Sequence, residues 1–190
     1  MDRYDQLIHA IDLFKPETIV EVGTWNGDNA VRMIKQAQKY RKKVIYIGYD
    51  LFEDASADTD AAELNVKAHN AVDAVQAKIL QACPGAEIQL IKGNTRDTLT
   101  HVAADLCFID GGHSVETIAN DYERCKHSRV VVLDDFYVND AEGKCPDTEI
   151  YGCNSLVRGI RGAMVLPLGG KVAGGGLVMM AMVVGGGGDE

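Results

Sequence analysis

Four residues in the second half of the chain have the types and placement to do chemistry together: Asp110, His113, Asp134 and Asp135. Asp110 closes the apolar run at 105–109, and Asp134 with Asp135 closes the run at 129–133. If those runs are neighbouring strands, their ends lie ~4.8 Å apart. Three carboxylates brought that close repel one another and raise each other's pKa values. A divalent cation removes that cost, and an all-oxygen ligand set favours Mg²⁺, Mn²⁺ or Ca²⁺ over zinc. His113 lies three residues past Asp110. Its imidazole titrates near neutrality and can take a hydroxyl proton. The plainer reading is that His113 caps the next helix or faces solvent, and that each Asp alone is a loop or cap residue.

A second constellation sits near the start. Glu21-Val-Gly23-Thr24-Trp25-Asn-Gly27 follows the apolar run 18–22. Glycines at 23 and 27 let the backbone turn sharply and approach a ligand. The helix behind them offers free N–H groups at its start. The spacing is not that of a dinucleotide fingerprint. Asp50 closes the next apolar run. An acid there is placed to accept hydrogen bonds from both hydroxyls of a ribose. Since Glu53, Asp54, Asp58 and Asp60 follow, Asp50 also reads as one acid of a solvated loop, or of a lid. Trp25 either lines a pocket or simply packs.

These residues need strands to carry them. Apolar runs at 18–22, 43–49, 87–92, 105–109 and 129–133 read as five strands. Helical spacing appears at 28–40, 61–83 and 114–126, with a shorter stretch at 95–104. Pro84-Gly85 is a clear terminator for the second helix. Residues 1–14 read as an N-terminal helix. Alternation of this kind implies a parallel sheet covered on both faces. Two further apolar runs, 163–168 and 177–184, are joined through glycines with no helix between them, so they should pair as an antiparallel hairpin. The glycine run 185–188 begins a flexible tail, and the chain reads as one domain over 1–190.

Glu21-x-Gly23-x-x-x-Gly27 together with Asp50 resembles the class I S-adenosylmethionine-dependent methyltransferases. The likeness runs over roughly 15–184. It implies a Rossmann-like, doubly wound α/β fold, with a mostly parallel seven-stranded sheet in the order 3-2-1-4-5-7-6 and an antiparallel last strand. It also implies cofactor contacts from Glu21, Gly23, Thr24, Trp25, Gly27, Asp50 and Asp110. In that family the glycine loop packs under the methionine part, the acid after the second strand holds the ribose, and Asn94 falls where adenine is contacted. Asp110-Gly-Gly-His113 and Tyr49-Asp50-Leu51-Phe52-Glu53 resemble segments of a metal-dependent sugar and macrolide O-methyltransferase subgroup, of the macrocin type. That likeness maps a Mg²⁺ site onto Asp110, Asp134 and Asp135 and a catalytic base onto His113, with Asp110 beside it. The acceptor it implies is a small polar molecule with a hydroxyl. This chain has little N-terminal extension, so acceptor recognition falls to 1–14, 53–60 and 137–161, the last with Tyr151 and Asn154. A homo-oligomer is another way to complete the site.

Composition sets the outer bounds. The net charge is −9, a poor basis for binding nucleic acid or an anionic membrane. The longest apolar run, 177–184, has eight residues, far short of the ~20 needed to span a bilayer. The start is acidic rather than apolar, unlike a signal peptide. Five cysteines with no C-x-x-C pair argue against a disulfide framework or a zinc ribbon, and fit free thiols in the cytoplasm. Two other functions stay open at this point. One is a metal-dependent hydrolase or oxygenase-type enzyme working on the acidic cluster. The other is a non-catalytic nucleoside-binding module. His9, His69, His101 and His127 have no partner spacing and read as surface residues.

Overall fold

The computed structural model describes residues 3–138, 151–171 and 176–185. Cys145 and the expected tail beyond residue 185 lie outside them. The parallel strands are β1 (Thr18–Val22), β2 (Ile45–Asp50), β3 (Glu87–Lys92), β4 (Leu106–Ile109) and β5 (Val130–Val138). Three more, β6 (Met164–Val165), β7 (Gly170–Lys171) and β8 (Leu177–Val184), close one edge. The order is β3-β2-β1-β4-β5-β8-β6, with β7 also on β8. Strand β8 runs antiparallel to β5. Strands β6 and β7 both pair antiparallel with β8 and together make one interrupted edge strand. This is the Rossmann-like arrangement expected, with the last strand reversed.

Side chains alternate across the sheet, so each strand feeds two cores. On one face Ile19, Leu106, Phe108, Val130 and Val132 pack under α1 (Arg3–Phe14), α2 (Asp28–Ala37) and α4 (Val72–Ala82). On the other, Val20, Val22, Cys107, Ile109, Val131 and Leu133 meet α6 (Val115–Cys125) and α7 (Gly152–Gly159). Continuous β-branched and aliphatic runs such as Val130 to Leu133 follow from burial on both faces.

Three differences from the sequence reading matter for the site. The helix expected over 61–83 is instead α3 (Ala57–Ala62), a connection over 63–71, and α4. Leu64 takes a left-handed φ of 57°. Asn65 turns back to the Asp60 carboxylate at 2.9 Å and accepts from the Lys67 N–H at 3.0 Å. These local bonds compete with the helical ladder and end it. Second, β5 does not stop before Asp134 but runs on to Val138. Third, α7 was not expected. Its Asn154 is fully buried and clamps the end of β5, accepting from the Tyr137 N–H and donating to the Tyr137 carbonyl, both at 2.8 Å. The short α5 (Thr95–Thr98) ends earlier than the stretch expected there.

Candidate active site

The carboxyl ends of β1, β2, β4 and β5 meet at one edge of the sheet. There an open cleft of about 130 Å³ is lined by Gly23, Trp25, Asp50, Asn94, Asp110 and His113, among others. Gly23 sits at φ 88°, and a Cβ on it would lie 2.0 Å from the Asp110 carbonyl oxygen. Only glycine lets the β1 loop rest against the end of β4. Gly27 also has a positive φ, 77°, and starts α2 behind the loop. Asp50 organises this loop from below. One of its oxygens accepts from the Trp25 N–H and the other from the Phe52 N–H, both at 2.7 Å. A carboxylate oxygen has a second lone pair, so Asp50 can still receive a ribose hydroxyl. Asn94 caps α5 through its own side chain, which accepts from the Arg96 N–H, and lines the cleft beside Gly93.

Three of the expected cofactor contacts stand behind the cleft rather than on its wall: Glu21, Thr24 and Gly27. Glu21 is buried and accepts a hydrogen bond from the Tyr46 hydroxyl, which lies 3.3 Å from Thr24 Oγ1. Gly48 leaves the room this network needs, since a Cβ there would meet Thr24 Oγ1 at 2.4 Å. Burial, and then the charge of Asp50, push Glu21 up to about 8 against the opposing Tyr46 bond. Glu21 is thus a protonated acid at neutral pH that supports the loop. Tyr46 and Gly48 carry no motif of their own, which is why sequence reasoning passed over them.

The connection after α3 forms the far wall, with Asp60, Glu63, Asn65, Lys67 and His69. Trp25 pins it: its ring N–H donates to the Ala68 carbonyl at 2.8 Å, and the Lys67 ammonium lies 5.2 Å from its ring centre. His69 is exposed, as expected, but it has a partner the spacing did not show, pairing with Asp60 at 2.8 Å. Glu63 reaches across to α6, accepting from the Ser114 N–H at 3.1 Å and the Thr117 hydroxyl at 2.6 Å.

His113 is held at both nitrogens. Nδ1 donates to the Glu63 carbonyl at 2.9 Å, and Nε2 lies 2.6 Å from Asp135 Oδ2. A carbonyl only accepts, so Nδ1 carries a hydrogen and Nε2 is the atom that exchanges a proton. Burial disfavours the charged ring, but Asp135 and the Glu63 carbonyl outweigh it, and the pKa stands above the ordinary 6.5. The Tyr151 ring meets His113 edge-on, with centres 5.8 Å apart. Behind this pair a recess of about 10 Å³, lined by Asp110, His113, Asp134, Asp135 and Tyr151, has room for one water at most.

A β-bulge brings the two aspartates together. Leu133 pairs with Ala181 but Phe136 with Met179, so β5 holds one extra residue there. Asp135 takes a left-handed φ of 60°. Consecutive strand residues would otherwise point to opposite faces, and the bulge re-aims them. Asp134 is buried and gripped by Arg3 of α1, with Nε to Oδ1 and Nη2 to Oδ2 both at 2.8 Å. The same Nη2 lies 3.4 Å from Asp135 Oδ1. Burial and the two neighbouring carboxylates raise Asp110 well above the usual range. Arg3 and His113 thus face Asp134 and Asp135 with positive charge, while burial beside these carboxylates disfavours a charge on Asp110.

A divalent ion does not fit this arrangement. All four oxygens of Asp134 and Asp135 already face N–H donors on two cations. Among the described residues no group of three His, Cys, Asp or Glu side chains is set to share a metal. The expected metal trio is therefore brought together, but around a guanidinium and an imidazole.

Residues 20–136 match the family described as methyltransferase domain, and the chain belongs to that family. It is an S-adenosylmethionine-dependent methyltransferase of the class I fold. Solved structures agree on the fold. The O-methyltransferase TomG of Streptomyces achromogenes, involved in tomaymycin synthesis, is 14% identical with a TM-score of 0.62, covering 96% of this chain and 79% of its own. An O-methyltransferase from Bacillus cereus is 17% identical with a TM-score of 0.62, covering 96% and 80%. No curated protein matches the sequence significantly. Among the described residues no helix is long and apolar enough to cross a membrane.

Proposed function

We propose that this enzyme transfers the methyl group to a hydroxyl oxygen of a small polar acceptor. One observation carries the reading. Asp110, Gly111, Gly112 and His113 line both the large cleft and the recess that holds Asp134 and Asp135. A proton-accepting pair therefore adjoins the pocket proposed for the methyl donor.

S-adenosylmethionine supplies an electrophilic methyl group on a sulfonium. The residues of this chain bind, orient and move the proton. Gly23, Trp25, Asp50 and Asn94 form the wall against which the donor lies. Lys67 offers the one ammonium lining the described cleft, suited to a carboxylate. His113, fixed by its Nδ1–H bond to Glu63, takes the hydroxyl proton on Nε2 once that nitrogen is free. Asp135 then stabilises the imidazolium formed. General-base help of this kind is worth about 10²–10⁴ in rate. Positioning supplies much of the remainder. The metal-assisted step is set aside here, because Arg3 and His113 already meet the carboxylates. The O-methyltransferases of similar fold lend the hydroxyl reading further support.

The test is product analysis. The enzyme is incubated with S-adenosylmethionine and matched panels of catechols, sugars and hydroxylated macrolides, each beside its amine counterpart. The expected products are O-methyl ethers, and His113→Gln lowers their rate by at least 100-fold while the thermal shift with S-adenosylmethionine persists. Transfer to amines alone, or an unchanged rate in His113→Gln, sinks the proposal.

A further inference from the structure

The Arg3 guanidinium is the feature that methyl transfer does not require. It stands 131 residues from Asp134 in sequence and makes a two-pronged bond to it. A planar fork of N–H donors matches a carboxylate in this way, and an ammonium does not. The same group leans on Asp135 and donates to the Tyr4 hydroxyl at 2.9 Å. Its side chain is only 19% exposed.

Nor is Arg3 a loose surface cation that happens to fall inward. Helix α1 is anchored in the turns that follow Arg3. Gln6, one turn along, is buried and makes a reciprocal pair of bonds with Leu168, donating to its carbonyl at 2.7 Å and accepting from its N–H at 2.8 Å. Leu7 and Ile11 are sealed in the core beneath. The connection between β6 and β7 thus fixes the helix, and the helix delivers the guanidinium to the end of β5.

A hard divalent ion binds oxygen lone pairs at roughly 2.0–2.6 Å. To reach Asp134 or Asp135 it would have to lie against the Arg3 and His113 cations and break the bonds they make to that carboxylate. We propose that Arg3 is the protein's own counter-cation, holding the place of a divalent metal, so that Asp134 and Asp135 take no metal while Arg3 is present. Shortening Arg3 opens the site. This inference concerns metal binding and not turnover, so it is judged separately from the choice of methyl acceptor.

The probe is Mn²⁺, followed by its own paramagnetic resonance signal and by thermal unfolding. Wild-type protein should bind no stoichiometric Mn²⁺ below millimolar concentration, and excess chelator should leave its unfolding temperature unchanged. Arg3→Met should bind one Mn²⁺ per chain at least tenfold more tightly and unfold at higher temperature when it is added. The double variant R3M/D134N should lose that gain. Removing one partner of a buried pair is costly. Arg3→Gln keeps one donor to Asp134, and serves if Arg3→Met does not fold. Stoichiometric, micromolar Mn²⁺ binding by the wild type overturns the proposal. So does a folded Arg3 variant that gains no Mn²⁺.

Discussion

Single atoms decide most of what happens at the cleft. Gly23 is the sharpest case, because a methyl group there would overlap the Asp110 carbonyl. Gly23→Ala must push the β1 loop away from β4, at a cost of about 1–3 kcal/mol for the φ alone. S-adenosylmethionine binding by calorimetry should weaken at least tenfold, and near-native affinity would show that the loop relaxes freely. His113 gives a pH prediction. Its pKa is raised, so the base form appears only as pH climbs through a value above the ordinary 6.5. The kcat/KM for methyl transfer should therefore rise along an acid limb with its midpoint above 6.5, and Asp135→Asn should move that midpoint down. A flat profile from pH 6 to 9 would remove His113 from proton transfer.

At the scale of elements, the connection over 63–71 is a wall tied at both ends. Glu63 ties its start to Ser114, Thr117 and His113, and Trp25 ties its later part through the Ala68 carbonyl and the Lys67 ammonium. Cation–π contact at such a site is worth about 0.5–1 kcal/mol, and the hydrogen bond about as much again. Trp25→Ala should raise KM for S-adenosylmethionine about tenfold with little change in kcat, and speed amide hydrogen exchange over 63–71. If exchange there is unaltered, the wall is held from elsewhere. The β5 bulge is an element-scale device too. It turns two sequential aspartates toward one site, and α7 locks it through Asn154.

Stability across pH belongs to the whole molecule, and Glu21 is its most telling group. Its pKa rises from an ordinary 4.5 to about 8 on folding. Below 4.5 the acid is neutral in both folded and unfolded chains. Between the two values the folded protein holds a proton that the unfolded chain has lost, so stability falls as pH rises through that window. Glu21→Gln removes the titration. In urea unfolding the variant should lose less stability than wild type between pH 5 and 8, by a margin on the order of a few kcal/mol. Equal slopes for both proteins would mean that Glu21 is ionised in the fold.

Much of this was legible in the residues themselves. Period-two burial and helical spacing are local consequences of backbone geometry, so the five parallel strands and most helices could be read directly. Residues that follow strands in such a sheet must gather at one edge, which placed Gly23, Asp50, Asn94, Asp110, His113, Asp134 and Asp135 in advance. What spacing cannot express is which distant groups meet them. The split of the 61–83 stretch depends on Glu63 reaching α6 and on Trp25 gripping Ala68. The turn of Asp134 and Asp135 to one side needs the bulge against β8. Above all, three clustered acids ask only for positive charge, and the sequence does not say whether an ion or a side chain provides it. Folding sets α1 on one face of the sheet and brings Arg3 to Asp134, a meeting spacing cannot express because Coulomb attraction depends on distance in space and not on separation along the chain.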